Sequence, residues 1–368
     1  MRRIENGSKI LAGFRGPLQV FMLSVWCILV GLACTPDTGS GSQPGAGSSA
    51  AARSSSSVGP TSTAAGSAGS GAAAASAAPS AASTAAAPEV KLTPMPAGSK
   101  LKIGATLHPY YSWTKNVVGD SPGVEVRSIL PGEVDAGNYQ PSPDDIKKLA
   151  DLDAIVVNGI GHDDFITDMI KASGNTKVVV IRPNDGTATM RSARGGAVNS
   201  HTFISFTNAI QQTYAIEKVL SALRPDLAER FRQGASDYAQ KLRKIKADAA
   251  GKLGGAKVTK VVTVHDGYSY LCQEFGVDVA GVVEPSHGLV PSAAELGGMV
   301  DLLKRDKIQV VLSEESFPDK LLQVLKKDTG ARVYVISHVA SGDYTADKFE
   351  KEMQKNTEAL IKALVTDG

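Results

Sequence analysis

Cysteine is nearly absent. The 368 residues hold three, Cys27, Cys34 and Cys272, far below what a disulfide-stapled domain needs. Cys272 has no partner downstream of Cys34 and reads as a small buried hydrophobe. An excess of one charge is missing too: 39 Lys and Arg face 37 Asp and Glu, for a formal net charge of +2. With no basic field, no zinc ribbon and no run of interleaved aromatics, nucleic acid is set aside as a partner. Aromatics make up only 5% of the chain, too few to line a roomy cleft for an organic ligand. Enzyme motifs are wanting as well. "GDSPG" (Gly119 to Gly123) has the spacing of a nucleophile elbow but lies between a helix and a strand, with Pro122 after the serine. "NGIGHDD" has Asp164 where a dinucleotide fingerprint needs its third glycine. The pair Asp163 and Asp164 is better explained as capping of a helix N-terminus.

Only one long apolar run exists, "LQVFMLSVWCILVGLA", ending at Ala33. Arg2, Arg3, Lys9 and Arg15 precede it and Cys34 follows it, so residues 1–34 read as an export segment. Cys34 after Leu32 and Ala33 resembles the lipobox of bacterial lipoproteins, in which that cysteine is diacylated; Gly31 stands where leucine is usual. The alternative is an uncleaved anchor, although the run is shorter than the ~20 apolar residues of a span. Both place the rest outside the cytoplasm, tethered to the membrane or periplasmic. Residues 35–97 are Ser, Ala, Gly, Thr and Pro with almost nothing to bury, a disordered linker whose ends lie on the order of 45 Å apart.

From residue 98 the chain alternates β-branched runs with amphipathic helical stretches, a βαβ rhythm that predicts parallel sheets. The rhythm occurs twice, in an N-terminal α/β lobe (98–222) and a C-terminal α/β lobe (257–368). "GATLHPYYSW" falls on "VTVHDGYSY", and "AIVVNGIGHDDFITDMIKASGNTKVVVIRP" on "QVVLSEESFPDKLLQVLKKDTGARVYVISH". Two pseudo-symmetric lobes follow from this repeat. Residues 223–256 form the rigid helical connection, broken once at Pro225, so the cleft between the lobes is expected to close little.

Ligands of open α/β sheets bind beyond the carboxyl ends of the strands. Five of six histidines are compatible with that edge: His108, His162 and His201 in the first half, His265 and His338 in the second; His287 sits in a connecting loop. One imidazole in such a place is commonly a hydrogen-bonded core or surface group. Several converging on one cleft, with Glu314, Glu315 and Asp135 nearby, suit a borderline-soft divalent ion, zinc before calcium or magnesium. Adjacent strand residues face opposite ways, so at most one of Glu314 and Glu315 looks into the cleft.

"LPGEVDAGNYQPSPDDIKKLADLDAIVVNG", "NSHTFISFTNAIQQ" and "VVTVHDGYSYLCQEFGVDVAGVVEPSHGLVPSAAEL" resemble, in order, three metal motifs of the zinc/manganese solute-binding proteins of ABC transporters, the cluster A-I receptors. The resemblance runs from about residue 101 to the end. It implies a monomeric, non-enzymatic, lipid-anchored or periplasmic receptor that passes Zn²⁺, or less readily Mn²⁺, to a membrane permease. It further implies four protein ligands drawn from both lobes. His201 matches the second and His265 the third. In the first slot Gly137 replaces the usual histidine, with Asp135 two residues earlier; in the fourth, Ser337 replaces an aspartate, with His338 beside it. The expected set is therefore His162, His201, His265 and His338, with His108, Asp135 or Glu314 as alternative ligands. The family's His-rich loop is absent, and Gly195, Gly196, Arg191 and Arg194 occupy its place. Protons compete with metal for imidazole, so binding should weaken below about pH 6.5. Two other readings share the cleft: a zinc-dependent hydrolase with an open coordination position and Glu314 as general base, and a protein that binds a metal chelate or small ligand.

Overall fold

Among the described residues eight short strands fall into two parallel sheets of identical order. The computed structural model describes residues 92–365 except Asp135, Arg194 and residues 285–290. The export segment, Cys34, linker residues 35–91, Asp135 and His287 lie outside the described residues, whereas residues 92–97, expected to belong to the disordered linker, pack on the fold through Leu92 and Met95, whose N–H donates to the Leu223 carbonyl at 2.8 Å. The first sheet holds β1 (Leu101–Ala105), β2 (Val124–Ser128), β3 (Ala154–Val156) and β4 (Val179–Ile181) in the order β2-β1-β3-β4. The second holds β5 (Lys260–His265), β6 (Asp278–Glu284), β7 (Val310–Ser313) and β8 (Arg332–Val335) in the order β6-β5-β7-β8. Every pairing is parallel, with Ile103 opposite Val126 and Ala154, and Val262 opposite Val311. Apart from Lys102 and Lys260 the central strands β1, β3, β5 and β7 are buried and rich in Leu, Ile, Val and Ala, as sheets covered on both faces require. The expected two-lobed α/β fold is thus present, and the internal repeat is a repeat of topology.

The helices are α1 (His108–Val118), α2 (Pro143–Lys147), α3 (Ile166–Ser173), α4 (Phe206–Leu223), α5 (Ala228–Leu253), α6 (Ser269–Glu274), α7 (Ala293–Arg305), α8 (Asp319–Thr329) and α9 (Lys348–Leu364). Their ends follow from local chemistry. Ser142 with Asp145 and Ser292 with Glu295 form reciprocal capping boxes at α2 and α7. Gly174 and Gly330, both left-handed, close α3 and α8. Among the described residues no helix is long and apolar enough to cross a membrane.

Pro225 opens the single break between α4 and α5, where a 3₁₀ turn spans Pro225–Leu227. There Arg224, 1% exposed, pairs with Asp226 at 2.7 Å and donates to the Ser99 carbonyl at 2.5 Å, anchoring the start of the first lobe. The long helix α5 then packs on α1, α4 and α9. Gly234 makes the first contact possible, because a Cβ there would stand 2.4 Å from the Val117 carbonyl oxygen.

The second half reaches back across the first. Ser112 Oγ and Asn116 Nδ2 on α1 both donate to the Ala346 carbonyl, at 2.6 and 2.7 Å. Trp113 meets Phe349 edge to face at 5.1 Å, both fully buried, a geometry that adds about 0.5–1.5 kcal/mol to the area buried. Gly342 N–H donates to the Gly132 carbonyl at 2.8 Å; a Cβ on Gly132 would lie 2.4 Å from the Gly342 oxygen. On the other side Glu274, from α6, accepts the Phe206 and Thr207 N–H groups at 2.8 Å each and so caps α4. Lys246 of α5 neutralises it at 2.8 Å.

Candidate metal centre

Three segments deliver three imidazoles to one point. His201 comes from the loop before α4, His265 is the last residue of β5, and His338 lies three residues past β8. One ligand nitrogen from each lies within 4.8 Å of the others. The ring centroids are 4.7 Å apart for His201 and His265, 4.7 Å for His265 and His338, and 4.9 Å for His201 and His338. His201 and His265 are buried and His338 half-buried. His162 stands against this trio, 5.0 Å from the His201 ring and 6.1 Å from that of His338. Phe203, fully buried, forms an apolar wall beside His162, His201 and His338, with ring separations of 5.3, 5.7 and 6.0 Å.

Hydrogen bonds orient two of the rings. Asn199 Oδ1 faces both the His201 backbone N–H, at 3.0 Å, and His201 Nδ1, at 2.8 Å. The Gly267 N–H donates to His265 Nδ1 at 3.0 Å, so this ring caps the 3₁₀ turn Asp266–Tyr268. Gly267 leaves no slack: a Cβ there would sit 2.8 Å from His265 Nδ1 and 3.0 Å from His338 Nε2. Under the His201 loop lies a buried polar net. The Asn158 and Asn184 amides both donate to Tyr110 Oη, at 3.0 and 3.2 Å, and Thr202 donates to Asn184 Oδ1 at 2.7 Å. Asn199, Gly267 and Phe203 did not stand out in the sequence; the only local hint was their place within two residues of His201 or His265.

The alternative ligands fare differently. His108 opens α1, stacked on Tyr344 at 3.8 Å with its Nε2 2.7 Å from the Gly342 carbonyl oxygen. It is a contact between the halves and takes no part in the cluster. Burial pushes its pKa down to about 4, against the opposing pull of that hydrogen bond. The unfolded chain therefore takes up a proton that the folded one refuses. Stability from this group is complete above about pH 6.5 and drains away as pH falls toward 4, by about 3 kcal/mol in all. His108→Gln keeps a donor for Gly342 and cannot titrate, so its urea midpoint should fall less between pH 7 and pH 4.5 than that of the parent. Equal falls would remove His108 as the source.

Glu314 and Glu315 lie past the end of β7, in a turn, so the alternation of a strand does not set their directions. Glu314 accepts from Tyr268 Oη at 3.1 Å and its carboxylate does not join the cluster of His201, His265 and His338. Burial, then the Glu314 charge, pushes the Tyr268 phenol well above its usual value. Asp163 does not cap α3. Its carboxylate accepts from Thr106 Oγ1 at 2.5 Å and from the Asn158 and Gly159 N–H groups at 2.7 and 2.9 Å, joining the ends of β1 and β3 beside His162. Burial raises its pKa. Gly137 falls in a 3₁₀ turn, Ala136–Asn138.

The family model of the zinc-uptake complex component A, periplasmic (ZnuA) matches residues 103–363. FpvC of Pseudomonas aeruginosa, solved with Ni²⁺ and with Mn²⁺, is similar at 38% identity over 72% of this chain, with TM-scores of 0.67 and 0.68 and 97% and 98% of that protein covered. The zinc-binding lipoprotein AdcA of Streptococcus pneumoniae is 26% identical over 74% of this chain. This chain spans only 57% of the length of AdcA. The manganese ABC transporter substrate-binding lipoprotein PsaA of Streptococcus mitis is 24% identical over 73% of this chain and 90% of its own. Because the family match takes in both sheets and all four clustered histidines, the chain belongs to the ZnuA family of metal solute-binding proteins, which are receptors and not enzymes.

Proposed function

We propose that this protein is an extracytoplasmic receptor that captures a divalent transition-metal ion, Zn²⁺ before Mn²⁺, and hands it to an ABC permease. The observation that carries this is the convergence of His201, His265 and His338 within 4.8 Å, from the loops and strand ends of both halves. In this reading His162 supplies the fourth nitrogen, and His338 serves where relatives of the resembling family use an aspartate. An all-imidazole set is a borderline-soft donor set. It suits Zn²⁺, whereas hard Mg²⁺ and Ca²⁺ need oxygens. With His338 in place of an aspartate the set carries one carboxylate fewer, so less negative charge offsets the ion. The ion is cargo: the imidazoles hold it, Phe203 keeps water from one side, and Tyr268 keeps Glu314 engaged.

A bare ion fits better than a chelate. A cavity of about 610 Å³ opens between Met190, Arg191, Asp266 and the edge of β6, yet none of the four histidines lines it. The family's PsaA and AdcA relatives carry manganese and zinc in their names, which supports both ions as cargo. The N-terminal segment, with Cys34 as the lipidated residue, provides the tether, and residues 98–222, 223–256 and 257–368 are the two lobes and their connection.

Protein stripped with a chelator and reloaded should bind about one zinc per chain by elemental analysis, and should retain it through gel filtration. In mixed-metal loading zinc should displace manganese. Failure to load either ion would remove the receptor reading.

A further inference from the structure

We infer that Asn199 is a positioning residue: it locks His201 in the Nδ1-protonated tautomer, so that Nε2 carries the lone pair toward the cluster, and it ties that ring to the second lobe. Amide orientation is decided by its neighbours. Asn199 Oδ1 accepts the His201 backbone N–H at 3.0 Å, while Asn199 Nδ2 donates to the Asp266 carbonyl at 3.0 Å. The reverse orientation would set two donors and two acceptors against each other. With Oδ1 assigned, His201 Nδ1, at 2.8 Å, has to be the N–H donor. An imidazole that donates from Nδ1 offers its lone pair from Nε2.

The second half of the inference rests on the residue at the far end of Asn199. Asp266 directly follows His265, so one side chain connects the ring of His201 to the backbone beside His265. The Asn199 carbonyl is itself held by Tyr270 Oη at 2.7 Å, and the Ala193 N–H donates to Asp266 Oδ2 at 3.0 Å. Asn199 is 2% exposed and Tyr270 4%, so water does not substitute for these bonds. Both lobes therefore fix the direction of a single imidazole.

This inference rests on the reading of His201 as a ligand, and its test separates the two. The tautomer of His201 is read in metal-free protein labelled with ¹⁵N-histidine, by long-range ¹H–¹⁵N correlation at about pH 8, where free imidazole is neutral. Zinc affinity is then measured by chelator competition. The parent should show His201 protonated on Nδ1. N199L, which removes the acceptor, should lose that signature and bind zinc about 10- to 100-fold more weakly. N199D keeps the acceptor for His201 but sets a buried carboxylate oxygen against the Asp266 carbonyl in place of the donated N–H; it should retain the Nδ1–H signature and bind zinc more tightly than N199L. Far-UV circular dichroism identical to the parent shows that the variants fold, and N199D carries the test if N199L does not. His201 protonated on Nε2 in the parent, or an Nδ1–H signature kept in N199L, overturns the inference. A parent with the expected tautomer that takes up no zinc leaves the hold of Asn199 on the ring standing and overturns the receptor reading instead.

Discussion

Zinc affinity should fall on the order of 10²- to 10³-fold when His201, His265 or His338 is replaced by alanine. A four-ligand zinc site contributes roughly 10–16 kcal/mol, so one imidazole accounts for about 3–4 kcal/mol. Each of the three offers a nitrogen within 4.8 Å of the other two, and alanine removes that nitrogen while Glu314 remains engaged by Tyr268. His162→Ala should reduce affinity as well while leaving three nitrogens in place, so its stoichiometry at excess zinc should stay near one. His108→Ala should leave zinc binding unchanged, because that ring contacts Gly342 and Tyr344. Chelator competition on the five variants sorts ligands from bystanders. Loss in His108→Ala with retention in His338→Ala would redraw the site around the first lobe.

Gly267→Ala should damage the site at least as much as loss of one ligand. The new methyl would have to share space with His265 Nδ1 and Cε1, at 2.8 and 2.9 Å, and with His338 Nε2 at 3.0 Å. Two rings of the cluster must shift, and the N–H that orients His265 moves with the backbone. Overpacking of this kind costs about 1–3 kcal/mol of stability, which the fold should survive. The expected result is a folded protein with an unchanged circular dichroism spectrum and zinc affinity lowered by 10²-fold or more. A Gly267→Ala variant with parental affinity would mean that metal loading already moves these rings away from residue 267.

Much of this is legible in the amino-acid sequence alone. The doubled βαβ rhythm gave two lobes, because parallel strands covered on both faces read as apolar runs whose order survives in sequence. His201, His265 and His338 were legible because strand ends collect at one edge of a sheet, and each follows a strand or precedes a helix. What failed were inferences from local rules. Asp163 precedes a helix and carries a good capping side chain, but the carboxylate instead bridges β1 and β3, 57 residues apart at Thr106. Glu314 and Glu315 were assigned strand alternation, but β7 stops at Ser313. His108 occupies the place that His265 holds in the repeat, yet the loop carrying Gly342 and Tyr344 covers it. Asn199 and Gly267 are inconspicuous in sequence because each orients a ring only two residues away while meeting a distant partner, Asp266 for Asn199 and His338 for Gly267, that no local pattern announces.

The loop that carries His338 is pinned only four residues later, where Gly342 bonds Gly132 and receives His108. Four residues of chain span at most about 14 Å, so this imidazole is on a short leash held by the opposite lobe. As a ligand of the proposed site, His338 on such a leash would not swing away from the ion without disturbing that contact. In the proposed receptor that seam would bear on how long an ion stays as well as on how tightly it is held, and unloading would call for leverage on the Gly132–Gly342 contact, a point remote in sequence from His201 and His265.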